Sequence, residues 1–282
     1  MGSVSAELLE KQMFKRNIGF IALITLALPL LAVGQQPRPL PEGVKAERNL
    51  EYVKDGHERN KLDVYWPEKG DGPLPLVVWI HGGGWKAGSK DNCPLVWLVP
   101  KGYAVASINY RFLQHAEHPA QIEDCKAAIR WLRANATKYK IDPQHVGVAG
   151  ASAGGHLAAL AGVSGNSKEY DGHGGNTDQL SKVQAVLDLF GPLGIPSQGG
   201  RKGQVLPHVS KESPPFLIIH GDADKVVPIS QSEQLDEALK RAGVEVTLVR
   251  IEGAGHSGKE FQTEEMRKKY QEFFDKHLKR VK

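Results

Sequence analysis

The sequence predicts an α/β fold: one domain built on a mostly parallel sheet, with helices packed on both faces. Three observations carry this. Apolar, β-rich stretches alternate with helical patterns from about Asn49 to the C-terminus. Several strands, such as Leu74–Gly82 (LPLVVWIHG), are unbroken apolar runs, the pattern of a strand covered on both sides. In the stretch Pro119–Ile141, the residues Ile122, Cys125, Ile129, Leu132 and Ala136 recur at helical spacing and form one apolar face.

The elements follow in order. Lys61–Trp66 (KLDVYW) alternates with period two and reads as a strand, followed by Leu74–Gly82 and Gly102–Tyr110 (GYAVASINY). After the Pro119 helix come the strand His145–Gly150 (HVGVAG) and a small-residue helix beginning near Ala153. Val183–Gly191, Pro214–Gly221 and Glu245–Gly253 supply three more strands. Ser230–Gly243 and Thr263–Val281 supply two more helices. No internal repeat or second domain is visible.

Composition supports a globular chain. Of 282 residues, 40% are hydrophobic and 24% charged, enough for one large core. The net charge of +4 comes from interspersed signs, so it gives no reason to expect nucleic acid as a partner. The basic stretch Arg267 to Arg280 alternates with Tyr270, Phe273, Phe274 and Leu278 and reads as an amphipathic terminal helix.

At the N-terminus, Lys11, Lys15 and Arg16 precede the apolar run Ile18–Val33 and the small residues Ala32-Val33-Gly34. Basic, apolar, then small is the layout of a secretory signal. Residues 1–34 are therefore expected to direct export, to a secreted or periplasmic location, with an uncleaved membrane anchor as the alternative. Residues 35–48 would be a Pro-rich leader and 49–282 the folded domain. After signal cleavage no stable membrane association is expected. Oligomeric state is not legible. Cys93 and Cys125 are the only cysteines. Cys125 lies on the apolar face of its helix, so packing as a small hydrophobe is favoured over a disulfide. No Cys/His spacing suggests a metal site, and Asp171, His173 and Asp178 fit no calcium loop.

The stretch Val148–Leu160 (VAGASAGGHLAAL) places Ser152 among glycines and alanines between a strand and a helix. G-x-S-x-G alone arises by chance in roughly one chain in six of this composition. Its position at a strand-to-helix turn raises its value, because such a turn exposes a nucleophile. A serine hydroxyl needs a base to take its proton, and the base needs a carboxylate to orient it. Two later loops at strand ends supply candidates. Asp222 and Asp224 follow Phe216–Gly221, and His256 sits in Gly253–Gly258 (GAGHSG). Asp224 is preferred, because Asp222 directly follows His220-Gly221 and is placed to close the turn.

Attack on a carbonyl develops negative charge on its oxygen, which amide donors stabilise. The loop His81-Gly82-Gly83-Gly84-Trp85 leaves a strand upstream of the serine. Gly83, Gly84 and Ala153 are the candidate donors. Trp85 is read as a wall of the acyl or alcohol pocket, with a buried scaffold role left open.

HGGGW, INYR, GASAGG, HGDADKVVP and GAGHSG together resemble the α/β-hydrolase superfamily, in its carboxylesterase/lipase branch with the HGGG loop. The likeness is to secreted bacterial esterases of the feruloyl and acetylxylan type and runs from about Leu50 to Lys279. It implies an α/β-hydrolase fold with Ser152 as nucleophile, Asp224 as orienting acid, His256 as base, and Gly83, Gly84 and Ala153 as the oxyanion hole. It also implies that Asn109-Tyr110-Arg111 supports the HGGG loop from behind, with Arg111 otherwise a surface cation. The span Leu193–Ser213 is short and polar, so the cap is expected to be minimal and the site open to water. Expected substrates are small-molecule or polysaccharide-linked carboxylic esters, short acyl or aryl, cleaved with no cofactor. The alternatives are an amidase, formamidase or peptidase with the same triad, or a non-catalytic binding protein on this scaffold. A large N-terminal peptidase domain finds no room before Leu50.

Overall fold

In the computed structural model, the described residues are 39–280 apart from 71, 166 and 196–202. The expected signal segment and the start of the leader lie outside them. Eight strands form one sheet in the order β1-β2-β4-β3-β5-β6-β7-β8. They are β1 Val44–Glu51, β2 Lys61–Pro67, β3 Leu74–Ile80, β4 Ala104–Ile108, β5 Ile141–Ala151, β6 Ala185–Leu189, β7 Phe216–Gly221 and β8 Val246–Ile251. The β1–β2 and β2–β4 pairs are antiparallel and every later pair is parallel.

Among the described residues four helices flank the sheet: α1 Ala120–Ala134, α2 Ala153–Val163, α3 Ser230–Arg241 and α4 Glu264–Leu278. One core packs α1, α2 and α3 against a face of the sheet. The other packs α4 and the 3₁₀ turn Val96–Lys101 against the opposite face. The central strands β3 to β7 are buried on both sides, which is why they read as continuous apolar runs. The helix α2 is small-residue and buried along its whole length. That lets it lie close across β5 and β6.

One sequence expectation shifts and one holds. The first strand starts at Val44, inside the span read as leader. The stretch VKAERNLE is an edge strand with a largely solvated, charged face, and a register shift at Glu47/Leu50 breaks its periodicity. Cys93 and Cys125 are free and belong to cores on opposite faces of the sheet, which rules out a bridge between them. The described part of the span after β6 holds an isolated bridge between Gly194 and Gln204 and a short 3₁₀ turn, Leu206–His208, in keeping with a minimal cap. Among the described residues no helix is long and apolar enough to cross a membrane.

Candidate active site

The serine sits where β5 breaks into α2. Its backbone is at φ 55°, ψ −121°, a region that costs a non-glycine residue strain and is held only by its surroundings. The Ser152 amide donates to Leu189 O at 2.9 Å, fixing the turn against β6. The glycines around it permit close approach. A Cβ on Gly150 would strike Gly154 O, and one on Gly154 would strike Ile80 O. The crowd of small residues therefore lets strand and helix nearly touch while the hydroxyl stands free.

From the next loops the structure brings the two expected partners to this hydroxyl. His256 Nε2 lies 2.8 Å from Ser152 Oγ, and His256 Nδ1 lies 2.7 Å from Asp224 Oδ2. A carboxylate only accepts, so Nδ1 carries the proton and Nε2 is free to accept the one on Oγ. Asp224 is buried. Burial alone would raise its carboxyl, but the bond from His256 and the Val226 and Val227 amides, which donate to Oδ1 at 2.8 and 2.9 Å, hold it below the ordinary carboxylate value. Asp222, by contrast, accepts from Gly253 N at 2.7 Å and closes the turn.

His220 is a support that the sequence reading did not pick out. Its Nε2 donates to Val227 O at 2.9 Å and lies 3.1 Å from Asp224 Oδ2, while Nδ1 accepts from Ser232 Oγ at 2.7 Å. Burial lowers its affinity for a second proton, so the ring stays neutral and braces the carboxylate. Its signal was the position just ahead of the acid loop, in HGDAD.

The glycine loop passes beside the serine: a Cβ on Gly82 would stand 3.4 Å from Ser152 Cβ. Gly83 has φ +114° and a Cβ there would strike Ala87 O, so the loop requires glycine at this position. The amides of Gly83, Gly84 and Ala153 donate to no acceptor among the described residues. Ala153 directly follows the serine and opens α2, so its amide lies at the positive end of that helix.

Behind this loop lies a polar frame. Tyr110 stacks on His81, ring centroids 4.6 Å apart, and its hydroxyl donates to His81 O at 3.0 Å. Asn109 Oδ1 accepts from Lys90 N at 2.7 Å, and buried Lys90 pairs with buried Asp63 at 2.8 Å, pinning the far end of the loop to β2. Arg111 instead grips Asp124 of α1, 2.7 Å at the closest. Arg59 carries no signal in the sequence pattern. It comes from the β1–β2 connection and donates to Tyr110 O at 2.8 Å, Gly88 O at 3.1 Å and His81 Nε2 at 3.2 Å, with its guanidinium 3.6 Å from the Phe112 ring centroid.

Of the two roles left open for Trp85, the structure favours scaffold. It is only 7% exposed, has φ 57°, and packs edge-on to buried His156 at 5.3 Å. It is scaffold, turned inward by its left-handed backbone. A cavity of about 320 Å³ is lined by Trp79, Trp97, Phe190, Phe261 and Tyr270 and takes in Ala151 and Ser257, the chain neighbours of Ser152 and His256. Phe190 meets the His256 ring at 4.9 Å.

Two family models match the chain: BD-FAE over residues 62–205, half of the chain, and the prolyl oligopeptidase family over residues 195–281. Among curated relatives, esterase LipC of Mycobacterium tuberculosis is 32% identical over 65% of this chain and 53% of its own length. Esterase LipQ of the same organism is 29% identical over 81% and 61%. The chain thus spans between half and two thirds of these two relatives. Among solved structures, a truncated carbohydrate esterase from gut microbiota is 33% identical, with TM-score 0.75, over 84% of this chain and 98% of that one. An acetyl ester-xyloside bifunctional hydrolase from Caldicellulosiruptor lactoaceticus is 26% identical, with TM-score 0.65, over 75% and 87%. By its sheet and these matches, the chain belongs to the BD-FAE family, within the carboxylesterase branch of the α/β-hydrolase fold.

Proposed function

We propose that this protein hydrolyses carboxylic esters as a serine hydrolase, through an acyl-enzyme on Ser152. The observation that carries this is the unbroken run from Asp224 Oδ2 to His256 Nδ1 at 2.7 Å and from His256 Nε2 to Ser152 Oγ at 2.8 Å. As Oγ bonds to the ester carbonyl carbon, its proton passes to Nε2 and the carbonyl oxygen becomes an oxyanion, held by Gly83, Gly84 and Ala153. One such donor is worth about 10²- to 10³-fold in rate. The imidazolium, steadied by Asp224, then gives its proton to the departing alcohol oxygen. Water, deprotonated by the same nitrogen, attacks the acyl carbon and releases the acid and free Ser152.

Every group in these steps belongs to the chain. The esterase relatives and the carbohydrate esterase neighbour support ester chemistry, and the aromatic cavity of about 320 Å³ suits aryl or carbohydrate-linked esters. The test is a panel of aryl acetates, longer acyl esters, methyl ferulate, acetylated xylan and N-formylkynurenine, run with wild type and Ser152→Ala. Ester turnover abolished by the substitution supports the reading. Full turnover by the variant, or turnover of the formamide alone, contradicts it.

The basic, apolar and small segments of residues 1–34 support export, with 35–43 as leader and 44–282 as catalytic domain. N-terminal sequencing of the protein from the extracytoplasmic fraction tests this, and a chain there retaining Met1 contradicts cleavage.

A further inference from the structure

The loop that carries Asp224 is folded around the imidazole of His220. His220 lies in β7 and Ser232 in the first turn of α3, so they stand at the two ends of the connection that holds Asp224. The ring meets Asp224 Oδ2 at 3.1 Å, Val227 O at 2.9 Å and Ser232 Oγ at 2.7 Å. His220 is fully buried and Ser232 is 1% exposed, so both act on the reaction only through their neighbours. We infer that Ser232 and His220 are positioning residues for the ester hydrolysis proposed above, and that together they limit how strongly Asp224 draws the proton of His256. The inference rests on that reading and deepens it.

The partners dictate the tautomer. Nε2 of His220 faces a carboxylate and a carbonyl, both of which only accept, so it carries the ring proton. In a neutral ring Nδ1 is then bare, and the Ser232 hydroxyl donates to it. A hydroxyl on α3 thereby selects the form of the ring that can donate to Asp224. With the proton on Nδ1 instead, a bare Nε2 would confront two acceptor oxygens.

The oxygen that receives this donor is the one the triad uses. Oδ1 of Asp224 is engaged by the Val226 and Val227 amides at 2.8 and 2.9 Å. Oδ2 takes His256 Nδ1 at 2.7 Å and also the His220 N–H, which it shares with Val227 O. Two donors on one oxygen divide its charge, so each weakens the pull on the other. Removing the His220 donor concentrates that charge on His256, favours its imidazolium, and raises the pH at which Nε2 is free to accept the Ser152 proton. The titratable groups facing this run are its own members: Asp224 and His256 face His220, and His256 and His220 face Asp224. Ser152 Oγ and the Phe190 ring stand against His256, while Asp222 is turned to Gly253 N and Lys225 is exposed on the loop.

The experiment is the pH profile of kcat/KM on an aryl acetate, which reports groups of the free enzyme, for the full chain and its His220→Leu, His220→Gln and Ser232→Ala variants. His220→Leu is expected to lower kcat about tenfold and to move the acid limb up by about 0.5 to 1 pH unit. His220→Gln, whose amide restores a donor, brings the limb most of the way back. Ser232→Ala, which leaves all three triad residues in place, moves it in the same direction by a smaller amount. An acid limb that stays at the wild-type pH in both His220→Leu and Ser232→Ala, or that moves down, overturns the inference and leaves ester hydrolysis standing. So does a loss of rate uniform across pH, the mark of a general packing defect. If His220→Leu does not fold, the limb of Ser232→Ala decides alone: a rise supports the inference and no rise overturns it. Absence of wild-type turnover on every ester removes the underlying function and this role with it.

Discussion

Arg59 reaches from the connection between β1 and β2 to donate to Nε2 of His81 at 3.2 Å, at the root of the glycine loop. Since His81 Nδ1 lies 2.7 Å from Gly82 O, the proton on that nitrogen is donated forward to the carbonyl, and Arg59 fixes the neutral tautomer from the other side. Burial, with Arg59 beside it, holds the imidazole down at about 4, so the ring keeps this tautomer across the neutral range. The orientation of the Gly82 peptide, and so of the amide that follows it, depends on this contact.

Arg59→Met is expected to lower kcat on an aryl acetate about tenfold or more while KM changes less than about threefold, because small misplacements of catalytic donors cost rate. Arg59→Lys is expected to recover only part, since one ammonium cannot span three acceptors. Steady-state kinetics on both variants check this. A KM-only effect would show that Arg59 does not position the loop.

Gly83→Ala tests the loop itself. Its φ of +114° and the collision with Ala87 O force the peptide to move, so a loss of about 10²-fold or more in kcat is expected. Activity close to wild type would remove Gly83 from the oxyanion hole.

The two aspartates of the HGDAD loop make a matched pair. Asp224→Asn presents His256 with the wrong hydrogen-bond pattern, and kcat is expected to fall about 10³- to 10⁴-fold. Asp222→Asn removes only part of a turn, with an expected rate change of less than about threefold. Reversal of that order would assign the acid to the wrong residue.

The elements that bury both faces were legible because nothing competes with an apolar run at the centre of a sheet. Ser152, Asp224 and His256 were legible for a related reason: each lies on a loop leaving the carboxyl end of a parallel strand, and chain order limits the choices. Less visible were contacts made across the chain by residues that look ordinary. Arg59 sits in a charged stretch with no periodicity, and its role exists only because β2 pairs with β4 and carries it behind His81. The Val44 strand was hidden by its solvated edge. The inward turn of Trp85 depends on a positive φ, and its bulk and place after the glycines suggested the opposite.

Asp188, at the end of β6, accepts from Gly191 N at 2.9 Å behind the nucleophile turn, and burial raises its carboxyl to about 7 against the donor's opposing pull. A carboxyl raised on folding binds a proton that the unfolded chain has already lost. Stability is therefore expected to fall as pH rises from about 4 to about 7 and then level off. Asp188→Asn is expected to remove this slope and to raise stability at pH 8, by up to about 4 kcal/mol. Denaturant unfolding at pH 5 and pH 8 measures it, and an unchanged slope in the variant would contradict the assignment.

The most direct test of the mechanism is mass analysis of enzyme quenched during turnover of an aryl acetate. The account predicts one acetyl group per chain, on the peptide containing Ser152, formed in wild type, slowed severely in His256→Ala and missing in Ser152→Ala. Acetyl found on another residue, or turnover with no covalent species when deacylation is made limiting, would contradict it.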